Sequence, residues 1–486
     1  MGRFSVMAHS ARAGVGRRLA CVFLCVFLLS ACDNTNERIE GARGDPQPSP
    51  TARDSLVIGL VGTLSGPLSW RGEDAFEGAD VGVAVLNRSR AEDEPDFELV
   101  SLDDEGDPDR AVELVEQLSE SPRTKGIIYA GPPGALPAAE DALAGAGIPA
   151  LLCYGDLYGA RKLTPHVFQT SPSYLWQSRV LARYIDRDRG YETVGIIAED
   201  SADGRTAITT LRAESERAGL RLRRPVVYDP AEPDIGGALD ALRDGRVETV
   251  VLHGAPDIVA EIAAALPAAG YGYTSSDDAR IASAPRKLRR KRQSSNYWRP
   301  HVLAFDLAIS EATDEDLPAG MVATDTYARG AGDLPVPSFE RFTSAFTAWW
   351  DESPTGWELR AYDSVQMIGW AADEAGEGDD LAEVLEELDG KRFGGLPVTF
   401  GPDDHTAVGE TTVGLWTIPT RGEARGESEL GWVPLARGFS FDGKRTSILP
   451  EDWKHLFTNP PPQSAPAPRV ATMKYGITTP RGDPFR

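Results

Sequence analysis

The sequence predicts an α/β protein whose parallel strands alternate with helices and form more than one sheet. Short continuous apolar runs, such as residues 56–61, are typical of strands that are buried on both faces. Between such runs, apolar residues recur every three or four positions, which is the spacing of one helix face. The 486-residue chain repeats this alternation too often for a single sheet, so we expect two α/β lobes.

The elements follow from these patterns in chain order. The helix after the first strand shows its buried face at Phe76, Ala79, Val83 and Leu86. Asp107 and Pro108 begin the next helix, because Asp is a favoured N-cap and Pro suits the first helical position. Its inner face is Ala111, Leu114, Val115 and Leu118. Further strands are predicted at 97–102, 126–130, 149–153, 193–198 and 249–253, and further helices at 137–146, 178–185 and 207–218.

The N-terminal residues 1–31 are predicted to be a lipoprotein signal peptide. Several arginines precede the apolar run 21–29, which is too short to span a bilayer. The run ends in Leu29-Ser30-Ala31-Cys32, which resembles the lipobox of bacterial lipoproteins. That resemblance implies that Cys32 is lipidated and tethers the protein outside the cytoplasmic membrane. Residues 32–53 are polar and rich in Pro and Gly, which predicts a flexible tether.

Charge and cysteine content narrow the class of protein. The net charge of −24 disfavours binding to nucleic acid or to anionic lipid headgroups. Without the signal peptide and the lipidated cysteine, only Cys153 is left, so no internal disulfide is expected. The one dense basic run, residues 286–292, interrupts the alternation and is predicted to be a solvated loop insertion. Contact with an anion or a membrane is the alternative for this run.

The sequence contains none of the common catalytic signatures. It lacks a nucleophile elbow, an H-E-x-x-H motif, a Walker loop and a Cys-x-x-Cys pair, and its six histidines are not in metal-ligand spacing. We therefore expect a binding protein with no cofactor or metal, rather than an enzyme. The acidic residues 103–107 lack the spacing of a calcium loop, and a strand-to-helix turn explains them more simply than calcium does.

Three loops are candidates for ligand binding because they follow predicted strands. They are residues 63–72, 131–135 and 154–158. In open α/β sheets, ligands bind outside the carboxyl ends of the strands. Gly-rich turns before helices also point amide groups outward, where these can hold a carboxylate or another anion.

Four segments in order carry a resemblance to a known family. Residues 60–67 (LVGTLSGP), 102–112, 361–365 (AYDSV) and 393–400 are similar to the corresponding parts of type I periplasmic binding proteins. Within that family they resemble the leucine/isoleucine/valine-binding proteins of ABC importers. The resemblance runs from about residue 55 to residue 418, which is most of the chain.

The resemblance implies an α/β fold of two Rossmann-like lobes with parallel sheets, joined by a hinge. It places lobe 1 at residues 54–170 and 325–400 and lobe 2 at residues 171–324 and 401–419. Residues 420–486 are then a C-terminal extension, since the strand–helix pattern fades there into Gly- and Pro-rich sequence.

The resemblance also implies a set of ligand contacts, several of them altered. Members of the family hold an amino acid's carboxylate with hydroxyls and loop amides of the first lobe. Here that loop reads Gly-Pro-Pro-Gly-Ala at residues 131–135, which weakens this clamp. Asp156 lies near a hydroxyl position and would repel a carboxylate unless it is paired. The implied contacts are Ser65, Trp70, Gly134, Ala135, Tyr154, Asp156 and Asp306.

Two further positions bear on the ligand. The aromatic residue expected just after residues 249–253 is absent, because the sequence continues Gly254-Ala255-Pro256. The acidic residue that holds an ammonium group is retained as Asp306. This pattern favours a ligand with an amine or amide group, either without a free α-carboxylate or with one held by water and backbone amides.

The predicted function is that of a lipid-anchored solute receptor. It would capture an amino acid, amide or related amine between the lobes and deliver it to ABC permease subunits. A ligand sensor of the same fold, which signals to a membrane partner without transport, is the alternative. A surface hydrolase is disfavoured because no nucleophile and base can be named, and a scaffold that has lost ligand binding also stays open.

Overall fold

The computed structural model describes residues 55–157, 164–245, 247–268, 300–305, 317, 321–326, 337–395, 397–408, 413–417 and 433–434. These residues all belong to one compact unit, Arg53–Arg486. The predicted signal peptide and tether, Cys32, the basic run 286–292 and Asp306 lie outside the described residues, as does nearly all of the predicted C-terminal extension.

Five parallel strands of the described residues form the first sheet, in the order β2-β1-β3-β4-β5. The strands are β1 (Leu56–Gly62), β2 (Phe97–Asp103), β3 (Thr124–Ala130), β4 (Ala150–Leu152) and β5 (Val167–Gln169). The central strand β1 pairs with both β2 and β3, and its side chains are buried from Val57 onward. A strand buried on both faces has no use for alternating polar residues, which is why its sequence is continuously apolar.

Helices α1 (Trp70–Ser89), α2 (Pro108–Ser119) and α3 (Glu140–Ala146) connect these strands. The predicted start of α2 is confirmed, because the Asp107 carboxylate accepts hydrogen bonds from the backbone amides of Asp109 and Arg110. The helix predicted at 137–146 differs from the structure: a 3₁₀ helix, Pro133–Ala139, precedes α3. Its prolines lack the amide hydrogen that regular α-helical bonding would require.

The second sheet has the order β15-β14-β11-β10-β9-β6-β7 among the described strands, with β8 also paired to β6. Strands β6 to β11 pair in parallel, whereas β14 and β15 are antiparallel. The strands are β6 (Thr193–Glu199), β7 (Arg221–Leu222), β8 (Val226–Tyr228), β9 (Thr249–His253), β10 (His301–Ala304), β11 (Val322–Thr326), β14 (Val413–Thr417) and β15 (Val433–Pro434). The accompanying helices are α4 (Tyr174–Arg183), which continues as a π-helical turn at Tyr184–Asp188, α5 (Ala202–Arg217), α6 (Ile235–Gly245) and α7 (Pro256–Ala268). The predicted α/β class with parallel sheets is confirmed.

After β11 the chain returns to the first sheet. Helices α8 (Pro337–Trp350), α9 (Gly356–Glu374) and α10 (Leu381–Leu385) precede a small antiparallel pair, β12 (Lys391–Arg392) and β13 (Pro397–Val398). Helix α9 packs along α1 so closely that glycines form the contact: a side chain at Gly82 would meet Val365, and one at Gly369 would meet Leu86. Strand β14 then rejoins the second sheet.

Asp363 ties helix α9 to the segment before β13. Its buried carboxylate accepts hydrogen bonds from the backbone amides of Gly394 at 2.6 Å and Gly395 at 3.1 Å. Burial raises the pKa of Asp363 to about 7, although these two amides oppose the shift. Two motifs that the sequence analysis noted separately, at 361–365 and 393–400, are thus one structural unit.

Candidate functional site

A buried ion pair joins the carboxyl ends of the two sheets. Arg71, in the first turn of α1 after strand β1, donates from Nη1 to the Asp203 carboxylate at 2.9 Å. Its Nη2 donates to the carboxylate of Glu199, the last residue of β6. Arg71 is 6% exposed, Glu199 is fully buried and Asp203 is 1% exposed, so water screens none of these charges.

Aromatic rings form one wall of this cluster. The Arg71 guanidinium carbon lies 4.7 Å from the ring centre of Tyr154 and 5.4 Å from that of Trp70. Tyr154 in turn contacts Trp70 and Trp357, with ring centres 5.1 Å and 4.4 Å apart. Such rings offer a negative face to a cation and an apolar surface to a ligand's carbon atoms.

The second sheet supplies hydroxyl, imidazole and phenol groups next to the acids. Ser201 donates its hydroxyl to Glu199 at 2.8 Å and also caps the start of α5. His253, at the end of β9, has its Nε2 atom 3.0 Å from the Tyr174 hydroxyl. Burial lowers the pKa of His253 to about 4, so this imidazole is neutral at pH 7.

The Tyr228 side chain occupies the space next to Gly254, the residue directly after β9, where the sequence analysis expected an aromatic residue. Gly254 has a φ of +143°, and a Cβ at that position would overlap the Tyr228 side chain. A side chain at residue 254 is therefore strained by the backbone conformation and would have to displace the Tyr228 side chain. The aromatic group at this edge comes from strand β8 instead.

The two acids of the ion pair have opposite pKa shifts. Burial raises the pKa of Asp203 to about 6, with Arg71 opposing this shift and the Glu199 charge adding to it. Burial also acts to raise the pKa of Glu199, but the attraction of Arg71 and further donors outweigh it and lower that pKa. At neutral pH one guanidinium thus faces two carboxylates.

Among the residues predicted as ligand contacts, Trp70 and Tyr154 are brought together at this cluster. Asp156 is buried in the same loop as Tyr154. Its carboxylate accepts hydrogen bonds from the Ser173 hydroxyl at 2.9 Å and the Tyr174 amide at 2.7 Å. This negative charge is therefore held at the start of α4.

The other predicted contacts lie elsewhere. Ser65 and Gly134 are exposed, whereas Ala135 packs in the hydrophobic core with Leu136 and Leu143. None of the hydrogen bonds or ring contacts described above for the Arg71 cluster involves these three predicted contacts.

Sequence reasoning missed Arg71, Glu199 and Asp203. A signal was present, because Glu199 directly follows the strand predicted at 193–198 and Asp203 lies at the start of the next helix, where ligands bind in α/β proteins. The acidic turn at 103–107 acts as the simpler interpretation predicted: Asp104 accepts hydrogen bonds from Thr63 and Gly106, and Asp107 caps α2. Within the described residues, no group of three or more metal-ligating side chains is arranged to hold a metal ion.

Comparisons with known proteins show that part of the sequence is similar to periplasmic binding proteins. A family model described as "Periplasmic binding protein" matches residues 55–286. A curated relative, Leu/Ile/Val-binding protein homolog 3 of Brucella melitensis, is 24% identical over 204 residues, which cover 41% of this chain and 54% of the relative. The chain thus spans about half the length of that relative.

Solved structures share the fold over most of their length. An ABC transporter substrate-binding protein from Sphaerobacter thermophilus has a TM-score of 0.60 at 19% identity, covering 78% of this chain and 96% of that one. The branched-chain amino acid transporter substrate binding protein LivJ from Streptococcus pneumoniae, solved with isoleucine, has a TM-score of 0.59 at 16% identity, covering 78% and 99%. With the family match over residues 55–286, these likenesses show that the chain has the fold of the type I periplasmic binding proteins.

Proposed function

We propose that this protein is an extracytoplasmic solute-binding protein that captures a small amino-acid-like, amide or amine ligand for an ABC importer. The observation that carries the proposal is the buried cluster of Arg71, Glu199 and Asp203 beside Trp70 and Tyr154. Charged and aromatic groups from two sheets meet there, and contacts divided between two bodies are what a closing receptor requires.

The chemistry of the cluster favours a ligand with a positive group. Two buried carboxylates face a single guanidinium, and aromatic faces line the same space. An ammonium group would gain charge-assisted hydrogen bonds from the acids and a cation–π contact from the rings. We also propose that Asp306 makes a second contact with the ligand's ammonium group.

Closure around the ligand follows from how the chain connects the sheets. It leaves the first sheet after β5, returns with α8 and α9, and leaves again before β14. We infer that these crossings are the hinge between the two proposed lobes. Lobe 1 is residues 54–170 with 325–400, and lobe 2 is residues 171–324 with 401–419. The ligand would hold the lobes together, as in hinge-closing binding proteins.

A ligand panel tests the proposal. We expect thermal-shift and native mass spectrometry measurements on the full chain to reveal stabilisation by some amine-bearing compounds among amino acids, amides and polyamines. A ligand at one hundred times its dissociation constant adds about 2.7 kcal/mol of stability. Trp70→Ala should weaken binding of the ligand that the panel identifies. Trp370→Ala should leave that binding unchanged, because Trp370 is a half-buried residue of α9 that hydrogen-bonds to Glu374. A panel in which no compound binds would overturn the proposed function.

The anchor is a separate part of the proposal. The likeness to periplasmic binding proteins over residues 55–286 supports an extracytoplasmic location. Within the described ranges, no helix is both long and apolar enough to cross a membrane. We propose that lipid on Cys32 attaches the protein to the membrane, where the permease partner lies. Cys32→Ser should move the protein from the detergent-dependent fraction to the soluble exported fraction, as immunoblots of fractionated cells would report. If the variant stays with the membrane, lipidation of Cys32 is wrong.

A further inference from the structure

The carboxyl end of the second sheet already binds a cation, which is the guanidinium group of the protein's own Arg71. Glu199 and Asp203 both come from the β6–α5 segment of the second sheet. Arg71 comes from α1, which packs against the first sheet. The guanidinium therefore reaches the two acids from the opposite layer.

The arrangement around Arg71 matches the shape of a guanidinium group. The two acids accept from different nitrogens of the same planar group, Asp203 from Nη1 and Glu199 from Nη2. The faces of Tyr154 and Trp70 lie beside it at 4.7 Å and 5.4 Å. Paired carboxylates with a stacked aromatic ring recognise a planar, delocalised cation better than a compact ammonium group.

Arg71 nevertheless leaves buried polar atoms of this cluster without hydrogen-bond partners in the part of the chain that the structure describes. Among the described residues, its buried Nε–H has no hydrogen-bond partner. The Tyr154 hydroxyl is also without one, although Tyr154 is only 2% exposed. That hydroxyl is close enough to Arg71, Glu199 and Asp203 for all three charges to act on it. Buried polar atoms are normally satisfied, so unmet groups here point to a different occupant.

We propose that Arg71 is a resident stand-in for the ligand, and that the ligand carries a guanidinium or amidinium group. The ligand's planar cation takes the place between Glu199 and Asp203, with the Tyr154 hydroxyl in reach, while the Arg71 side chain withdraws. This inference rests on the proposed function and narrows its ligand class. Because Arg71 competes within the molecule, it lowers the apparent affinity for such a ligand.

Agmatine, which carries a guanidinium and an amine, is the probe that tests the inference. Calorimetric titration of the full chain should give measurable binding to the wild type and at least tenfold tighter binding to Arg71→Ala. Adding Glu199→Gln to Arg71→Ala should remove that gain. Methylammonium should bind Arg71→Ala more weakly than methylguanidinium does, because it lacks the planar fork.

Arg179→Ala is the matched control. Arg179 also pairs with a buried acid, Glu214, and lies 4.7 Å from the ring centre of Trp176, but these partners all belong to the second sheet's helices. Its removal should leave agmatine affinity unchanged. An equal gain in both variants would reveal only the refilling of a vacated space and would overturn the inference.

Further outcomes separate this inference from the proposed function. If a panel ligand binds the wild type but is weakened by Arg71→Ala, Arg71 is a direct contact and only the stand-in role is wrong. If neither agmatine nor any panel compound binds wild type or variant, both are wrong. Should Arg71→Ala fail to fold, Arg71→Lys is the substitute variant, because a single ammonium group cannot bridge both acids. Arg71→Lys should bind agmatine more tightly than the wild type does. Equal or weaker binding would overturn the inference.

Discussion

Glu199→Ala will destabilise the folded protein by about 3 kcal/mol, the lower end of the range for a broken buried ion pair. Glu199 is fully buried and accepts hydrogen bonds from both Arg71 and Ser201. Its loss leaves Asp203 as the one remaining acid of this cluster that accepts a hydrogen bond from the buried guanidinium. Urea unfolding at pH 7, followed by circular dichroism, measures the change in the free energy of unfolding.

The neighbouring residue Asp200 provides the control. It pairs with Arg205 at 3.0 Å, but both side chains are more than 60% exposed. Exposed ion pairs of this kind contribute little, so Asp200→Ala should change stability by less than about 0.5 kcal/mol. Equal effects of the two substitutions would mean that the Arg71–Glu199 pair is not buried in solution.

Gly78→Ala will also destabilise the protein, by about 3 kcal/mol, the upper end of the range for an overpacked core. A Cβ on Gly78 of α1 would lie 2.6 Å from the Cα atom of Glu358 in α9 and would collide with its carbonyl group. A backbone neighbour cannot rotate away, so the two helices must separate and lose packing along their length. The same urea measurement reports the loss.

Gly145→Ala tests whether this effect comes from packing or from the substitution itself. Gly145 lies in α3, is exposed, and has open space within 4 Å of the point where a Cβ would stand. Alanine there should be neutral or stabilising by roughly 0.5 kcal/mol, because it restricts the unfolded chain. A Gly78→Ala variant as stable as Gly145→Ala would contradict the close α1–α9 contact.

The strands could be predicted because burial on both faces leaves a local mark in the sequence. Strands β1, β6 and β9 match their predicted ranges to within one residue. Strands of two residues, such as β7 and β12, are too short to carry any periodicity. The 3₁₀ turn before α3 was missed because apolar spacing does not distinguish it from an α-helix.

The site was only partly predictable for a different reason. Trp70 and Tyr154 could be named as candidates from the sequence because they lie in loops that follow predicted strands, which is a local property. In the Arg71 cluster, Glu199 lies 128 positions and Asp203 lies 132 positions after Arg71 in the sequence. No local sequence pattern encodes a pairing over such a distance. A buried ion pair becomes visible only once the fold brings its members together.

We infer that the ligand binds where the two sheets meet, beside Tyr154. Titration of the panel's strongest ligand against wild type and Tyr154→Phe tests it most directly, because the substitution removes only a hydroxyl that is unpartnered within the described part of the chain. We predict roughly five- to tenfold weaker binding with unchanged stability. Tyr362→Phe, a buried tyrosine of α9 packed on Phe342, should bind as the wild type does. Equal affinity of wild type and Tyr154→Phe would mean that the ligand binds elsewhere.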